Sequence, residues 1–162
     1  GFNLRPTDIQ AAIAHSQFKR LDKFINNRTF NNNIIKKKLI SDKRWKNQFS
    51  FVQIIKNIKP SYMVLPIILN ERFKSKKKLF VKALENFGIE TRPIISGSFI
   101  NQPATKLYNL NKKNEKFEEA QKVEDLGFVI GLHTKKIKNI TLEKIIDGLY
   151  LIDKIKTINN LF

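Results

Sequence analysis

The sequence predicts an α+β fold in which a long N-terminal helix precedes a small layer of short strands covered by helices. Three observations support this class. Apolar residues recur at helical spacing from Ile9 onward. Two short apolar runs, YMVLPIIL at residues 62–69 and FVIGLH at residues 128–133, have the length and composition of buried strands. Lysine-rich amphipathic segments lie between them, so we expect helices on one side of a short mixed or antiparallel sheet.

The first element is a helix that Thr7 or Asp8 caps and that opens at Ile9. Helical character is predicted to continue to Ile40, which makes this element unusually long. Its first half has an apolar stripe with small side chains, which indicates close packing against a partner that the rest of this chain does not supply. The stripe comprises Ala11, Ala14, Phe18, Leu21 and Ile25.

The chain is therefore predicted to have two parts. Residues 1–50 are expected to be a helical segment from the end of a larger domain together with a connecting helix. A polar loop at residues 41–50, with Trp45 as its apolar contact, ends this part. Residues 51–162 are expected to form a small C-terminal α+β domain.

The first predicted strand of this domain covers residues 62–69 and is interrupted by Pro66. An amphipathic helix from Phe73 to Phe87 follows, with its lysines in solvent. Gly88 stands where a helix C-terminus favours a left-handed residue. We therefore expect the chain to turn sharply at Gly88.

The stretch GIETRPIISGSFINQPA, residues 88–104, contains the first candidate site. Apolar and polar side chains alternate at its start, as they do in a short strand, and Pro93 confines that strand to the edge or end of a sheet. The small residues at 96–98 allow backbone amides to approach an anionic or sugar ligand. Arg92 presents a planar, charged fork nearby. Arg92 and Ser96 are therefore candidate ligand contacts, and the alternative interpretation is an ordinary turn.

Two further helices are predicted at residues 102–110 and 115–126, followed by a strand that ends at His133. Thr141 is predicted to cap the final helix. The buried face of that helix is expected to comprise Ile145, Leu149, Ile152 and Ile155.

Three more residues are candidates for ligand contact. His133 at a strand end could bind a ligand through its imidazole, or it could bond a local carbonyl. Asn3 and Arg5 precede a helix N-terminus, where backbone amides and the helix dipole favour a phosphate. A capping or turn role is the alternative for this pair.

Composition excludes several classes of site. There is no cysteine and there are two histidines in 162 residues, so thiolate chemistry and a His- or Cys-ligated metal are not expected. No apolar run approaches the roughly 20 residues that a membrane span needs. A cytoplasmic protein without a membrane segment is the default expectation.

The net charge of +17 raises the alternative of a stand-alone basic module that binds nucleic acid or another polyanion. Lysine accounts for 25 of the 31 basic residues and is scattered, whereas fork-type recognition of bases and phosphates favours arginine. Nucleic acid is therefore not the leading partner. A helical interaction domain without a ligand is the third interpretation.

Three motifs resemble one known family. The opening GFNLRPTDIQAAIA is similar to the GYNxRMTDxQAAIG stretch of the DegT/DnrJ/EryC1/StrS group of sugar aminotransferases. The segments GIETRPIISGSFINQPA and GFVIGLH resemble the C-terminal part of the same group. The ETRPI pattern is most similar to the branch that acts on nucleotide-linked 4-keto-6-deoxyhexoses in O-antigen and related glycan synthesis. That branch contains 3-dehydratases as well as aminotransferases.

The resemblance implies a fold-type-I enzyme that uses pyridoxal 5′-phosphate (PLP) and acts as a homodimer. In the family, the Schiff-base lysine lies upstream of the segment that matches Gly1, and some dehydratases have histidine instead. The 162-residue chain is therefore expected to contain no catalytic residue and to be inactive alone.

Site residues carry over from the family position by position. Asn3 matches the asparagine that reaches the cofactor phosphate of the neighbouring subunit, and Arg5 stands beside it. Arg92 and His133 fall where the small domain lines the nucleotide-sugar pocket. The sequence departs from the family at Pro6, where Met is usual. It also departs at Ser98, where Asn is common, which removes any sugar contact that the amide would make.

Overall fold

The structure, a computed structural model, describes residues 5–111 and 115–155. Its helices and strands are α1 (Asp8–Phe18), α2 (Leu21–Ser41), β1 (Phe49–Phe51), β2 (Val64–Leu69), α3 (Lys77–Asn86), β3 (Thr91–Arg92), α4 (Pro103–Leu107), α5 (Glu118–Leu126), β4 (Gly127–Gly131) and α6 (Asn139–Leu149). Short 3₁₀ helices cover Glu71–Lys76, Phe99–Asn101 and Tyr150–Lys154.

The strands form one antiparallel sheet in the order β1-β2-β4-β3, which confirms the predicted α+β class. Leu65 of β2 pairs with Ile130 of β4. Two residues along, Ile67 pairs with Phe128, so these four apolar side chains share one face of the sheet. All four are buried, and this face carries the hydrophobic core.

Both prolines of the sheet region lie where a missing N–H is tolerated. β3 ends directly before Pro93 and is an edge strand, as the sequence predicted. Pro66 stays inside β2. This is possible because β1 ends at Phe51, opposite Ile67, so the proline lies one residue beyond the β1–β2 pairing.

Helices α2, α3 and α6 supply the other side of the core. The ring of Phe80 on α3 lies 6.3 Å from that of Phe49 and 5.7 Å from that of Phe128, measured between centroids. Ile35 and Leu39 of α2 are buried in the same cluster. The second half of α2 thus shares the core of the sheet. The division after residue 50 falls within β1 and remains a proposal about the whole protein.

The predicted long N-terminal helix is two helices. Lys19 and Arg20 form a turn between α1 and α2, with the Arg20 N–H donating to the Gln17 carbonyl at 3.0 Å. No residue of α1 is buried: Ile9 and Phe18 are 75% and 72% exposed, since no described element packs on the helix. In the described part of the chain, every helix is too short or too polar to span a membrane.

The turn at Gly88 is confirmed. Gly88 has a φ of +86°. Its N–H donates to the Glu85 carbonyl, and the Ile89 N–H donates to the Leu84 carbonyl, both at 2.9 Å. This pair of bonds is the Schellman arrangement that ends a helix and that glycine makes possible.

Several predicted boundaries were wrong. The segment from Phe73 is a 3₁₀ turn before α3 begins at Lys77. The helix predicted at 102–110 is reduced to five residues, and α5 begins at Glu118. Thr141 does not cap α6, because the Lys138 carbonyl already accepts from the Leu142 N–H at 2.9 Å and the helix starts at Asn139.

Candidate functional site

His133 lies in the loop at residues 132–137, which connects β4 to α6. The strand ends at Gly131, two residues before the predicted end, so the carbonyls that follow lie outside the ladders that pair β4 with β2 and β3. Side chains of α2 bond them instead. The Arg28 Nε donates to the Leu132 carbonyl at 3.1 Å, and the Asn27 Nδ2 donates to the Thr134 carbonyl at 2.8 Å.

Asn31 makes the central contacts to this loop. Its Nδ2 donates to the His133 carbonyl at 2.9 Å and to the Lys135 carbonyl at 2.8 Å. Its Oδ1 accepts from the Ile137 N–H at 2.9 Å. The amide of Asn31 therefore uses both donor hydrogens and its acceptor on one loop, and the residue is 1% exposed.

The imidazole of His133 is exposed but fixed at one nitrogen. The Lys135 N–H donates to Nδ1 at 2.9 Å. Because Nδ1 accepts this bond, the proton of the neutral ring is on Nε2. His133 therefore presents an N–H donor to solvent, which suits an oxygen atom of a ligand.

Arg92 lies on the outer face of the edge strand β3. It is exposed, and its side chain pairs with Glu90 at 2.7 Å. Arg92 stands opposite Val129, four residues before His133 along the chain. His133 lies two residues beyond the end of β4 at Gly131, so the two residues are not neighbours in the sheet. A ligand that contacts both must be extended.

The loop at residues 96–98 is already occupied by a carboxylate of the chain. The Ser98 N–H donates to the Glu124 Oε2 at 2.8 Å, and the Asn101 Nδ2 donates to the same oxygen at 3.0 Å. Gly97 has a φ of +62°, and a Cβ there would lie 2.9 Å from the Glu124 Cγ. The amide expected to meet an anionic ligand thus binds Glu124.

Ser96 and Ser98 have different surroundings in this loop. Ser96 is exposed, and its carbonyl accepts from the Gln102 Nε2 at 2.7 Å. Ser98 is buried, and its Oγ has no hydrogen-bond partner among the described residues. Ser96, rather than Ser98, therefore has a hydroxyl available at the surface.

The two N-terminal candidates are only partly described. Asn3 lies outside the described residues. Arg5 is exposed ahead of α1. At the start of that helix Thr7 and Gln10 form a capping box, with bonds of 2.9 Å and 3.3 Å between each side chain and the other's N–H. The structure does not bring Arg5, Arg92 and His133 into one pocket within the described residues.

A cleft of about 340 Å³ lies between the 3₁₀ helix Glu71–Lys76 and α5, and none of the described site candidates Arg5, Arg92, Ser96 and His133 lines it. Lys74 pairs with Asp125 there at 2.7 Å, and this bond lowers the pKa of the Asp125 carboxyl. Both charges of the pair are therefore satisfied within the chain.

The sequence did not predict the polar face of α2, by which we mean Asn27, Arg28 and Asn31. The three residues are spaced i, i+1 and i+4, so a helix places them on adjoining faces. They stand within NNRTFNNN, where the repeated asparagines suggest composition bias rather than contacts. One signal in the sequence could have indicated these contacts: polar side chains lie on a helix that is predicted to be partly buried, and buried amides need hydrogen-bond partners.

Comparison with known proteins finds relatives among sugar-modifying and lipopolysaccharide biosynthesis proteins. GDP-4-keto-6-deoxy-D-mannose 3-dehydratase of Yersinia pseudotuberculosis is 29% identical over 146 residues, which cover 86% of this chain and 35% of that protein. Lipopolysaccharide biosynthesis protein RfbH of Salmonella typhimurium is 31% identical over 103 residues, which cover 64% of this chain and 23% of that protein. The chain thus spans about a third or less of the length of these relatives.

Solved structures share the fold. GDP-4-keto-6-deoxy-D-mannose-3-dehydratase of E. coli, solved with bound hydrated PLP, matches 92% of this chain and 36% of its own with a TM-score of 0.73 and 23% identity. The sugar aminotransferase CalS13 of Micromonospora echinospora matches 92% and 36% with a TM-score of 0.72 and 15% identity. A sequence model of the DegT/DnrJ/EryC1/StrS aminotransferase family matches residues 1–149. The chain belongs to the DegT/DnrJ/EryC1/StrS aminotransferase family.

Proposed function

We propose that this chain is the C-terminal part of a PLP-dependent enzyme that removes the 3-hydroxyl of a nucleotide-linked 4-keto-6-deoxyhexose in O-antigen or polysaccharide biosynthesis. The observation that carries the proposal is the match of 146 residues to the Yersinia pseudotuberculosis 3-dehydratase, together with the family match over residues 1–149. A second 3-dehydratase, from Escherichia coli O55:H7, is 28% identical over 134 residues. Transamination of the same substrate class is the alternative, because the family and CalS13 are named for it.

In this proposal the described residues belong to the margin of a PLP site and not to its centre. Burial lowers the pKa of Lys36 and of Lys77, which is the usual signature of a reactive lysine. Lys36, however, lies over the ring of Phe51, and the Lys77 Nζ donates to the Glu124 carbonyl. Both ammonium groups therefore already have contacts within the chain, and no catalytic step is assigned to either lysine.

When bound, PLP supplies the electron sink that stabilises a carbanion on the substrate. In this proposal Arg5, together with Asn3, contributes to the cofactor phosphate site of a neighbouring subunit, where a permanent guanidinium charge suits a dianion. The homodimer and the cytoplasmic location are parts of the same proposal. The exposed apolar side chains of α1 support a contact with further protein surface.

Residues of the small domain bind the substrate in this proposal. His133 donates a hydrogen bond from Nε2 to a ligand oxygen, and Ser96 offers a surface hydroxyl. Arg92 binds a phosphate by exchanging its present partner, Glu90, for the ligand. Because Arg92 pairs with Val129, four residues before His133, a ligand that contacts both residues is extended, which suits a nucleotide-sugar better than a small sugar.

Turnover by the full-length protein tests the proposal. The protein is incubated with PLP, glutamate and GDP-4-keto-6-deoxy-D-mannose, and the nucleotide-sugar product is examined by mass spectrometry. We expect a product that has lost the 3-hydroxyl. A product in which an amine replaces the keto oxygen would instead establish transamination, and an unchanged substrate would contradict both. The isolated 162-residue chain is expected to give no product.

A further inference from the structure

The loop at residues 132–137 is held by α2 through an unbroken row of backbone acceptors. The carbonyls of four consecutive residues accept from side chains of the polar face of α2: Leu132, His133, Thr134 and Lys135. Only Asn31 bonds two of them, and it also accepts from the N–H of Ile137. The backbone of this loop is therefore set by a helix that is about 100 residues away in sequence.

The loop in turn sets the imidazole of His133. The N–H of Lys135 that fixes Nδ1 belongs to a residue whose carbonyl Asn31 holds. The carbonyl of His133 itself is the other acceptor of Asn31. Because Asn31 bonds on both sides of this contact, a shift of either carbonyl moves the Lys135 N–H relative to the ring. The ring then loses the bond that places its proton on Nε2.

We propose that Asn31 is a positioning residue that fixes the orientation and the tautomer of the His133 imidazole, and thereby the affinity for a nucleotide-linked sugar. The part concerning affinity rests on the proposed function, in which His133 contacts that sugar. The part concerning the imidazole rests on the contacts above alone. Asn27 and Arg28 assist by holding the neighbouring carbonyls of the same loop.

Substitution Asn31→Asp in the full-length protein separates positioning from packing. The carboxylate has the same shape and keeps an acceptor for the Ile137 N–H, but it cannot donate to the carbonyls of His133 and Lys135. Asn26→Asp is the matched control, because Asn26 lies on the same helix, is exposed and takes the same change in charge. Asn27→Ala removes only the hydrogen bond to the Thr134 carbonyl, and it replaces Asn31→Asp as the test variant if that variant does not fold.

The first readout needs no substrate. Two-dimensional ¹⁵N NMR of the histidine rings reports which nitrogen carries the proton, and the His133 signal is assigned by its loss in His133→Gln. We expect the Nε2–H tautomer in the unaltered protein and in Asn26→Asp, and a mixture of tautomers in Asn31→Asp. A smaller shift in the same direction is expected for Asn27→Ala. An unaltered tautomer in both Asn31→Asp and Asn27→Ala would overturn the proposal.

The second readout is the split between KM and kcat for GDP-4-keto-6-deoxy-D-mannose. We expect Asn31→Asp to raise KM about tenfold, the equivalent of one hydrogen bond of ordinary strength, with little change in kcat. The double variant with His133→Gln should show no further increase over His133→Gln alone. An additive increase would overturn positioning through His133. If the tautomer shifts while the unaltered protein does not turn over this substrate, the proposed function fails and the role of Asn31 toward the ring stands.

Discussion

Tyr150→Phe is the substitution that tests the packing of α2 against the 3₁₀ helix Tyr150–Lys154 most sharply. The hydroxyl of Tyr150 donates to the carbonyl of Leu39 in the last turn of α2 at 2.7 Å, and the residue is 2% exposed. Phenylalanine keeps the ring beneath the Arg44 guanidinium, 4.3 Å away, but leaves the carbonyl with only the longer bond from the Asp42 N–H, at 3.3 Å. One hydrogen bond contributes about 0.5–1.5 kcal/mol net, so we expect the free energy of unfolding to fall by about 1 kcal/mol.

Urea unfolding followed by Trp45 fluorescence measures this change, since Trp45 packs near Phe49 in the same domain. Tyr108→Phe is the control, because Tyr108 is exposed and surface substitutions change stability by less than about 0.5 kcal/mol. Equal unfolding free energies for the two variants would refute the assignment of this hydrogen bond.

The same tyrosine gives a pH test with a defined sign. Burial raises the pKa of Tyr150 from 10.0 to about 12. The stabilising effect of the neutral hydroxyl is complete below pH 10 and is lost as the pH rises from about 10 to 12, by up to about 2.7 kcal/mol. The stability difference between the unaltered protein and Tyr150→Phe should therefore shrink in this range. A constant difference would contradict the shifted pKa.

Two further substitutions follow from the structure. A Cβ on Gly127 would lie 2.4 Å from the Val123 carbonyl oxygen, so Gly127→Ala should lower the free energy of unfolding by about 3 kcal/mol. Gly131→Ala on the same strand is the control, because a Cβ there meets no atom within 4 Å and should not lower the free energy of unfolding. Equal effects of the two substitutions in urea unfolding would refute this prediction. Hydrogen bonding to Arg44 lowers the pKa of the Asp42 carboxyl to about 2, so its contribution is present above pH 3.8 and is lost as the pH falls toward 2. Asp42→Asn should remove about 1–2 kcal/mol at neutral pH and reduce the acid dependence of stability, and an unchanged acid unfolding curve would contradict the pairing.

Features fixed by local backbone chemistry could be predicted from the sequence. Gly88 ends α3 because the residue that follows the C-cap Phe87 adopts a positive φ, which glycine allows. Pro93 limits β3 because it lacks an N–H to donate to a neighbouring strand. The break at Lys19 and Arg20 could not be predicted, because the apolar spacing continues through it. Thr141 had the composition of a cap, but the first turn of α6 forms one residue after Lys138 and needs no side-chain oxygen.

The contacts of the candidate site are long-range, and this limits what the sequence predicts about it. Glu124 fills the turn at Ser98 from 26 residues away, and Asn31 holds the His133 carbonyl from 102 residues away. Neither pairing has a local signature. The pairing of Arg92 with Glu90, two residues earlier on one strand face, is the contact that alternation alone could have suggested.

Hydrogen–deuterium exchange of the full-length protein, with and without a GDP-linked 4-keto-6-deoxyhexose, tests the central claim most directly. We predict slower exchange on binding in the peptides covering residues 90–98 and 131–137, and no change at the cleft between Glu71–Lys76 and α5. An oligonucleotide at physiological salt should leave all these peptides unchanged. Protection by the oligonucleotide but not by the nucleotide-sugar would contradict the account and favour a module that binds polyanions.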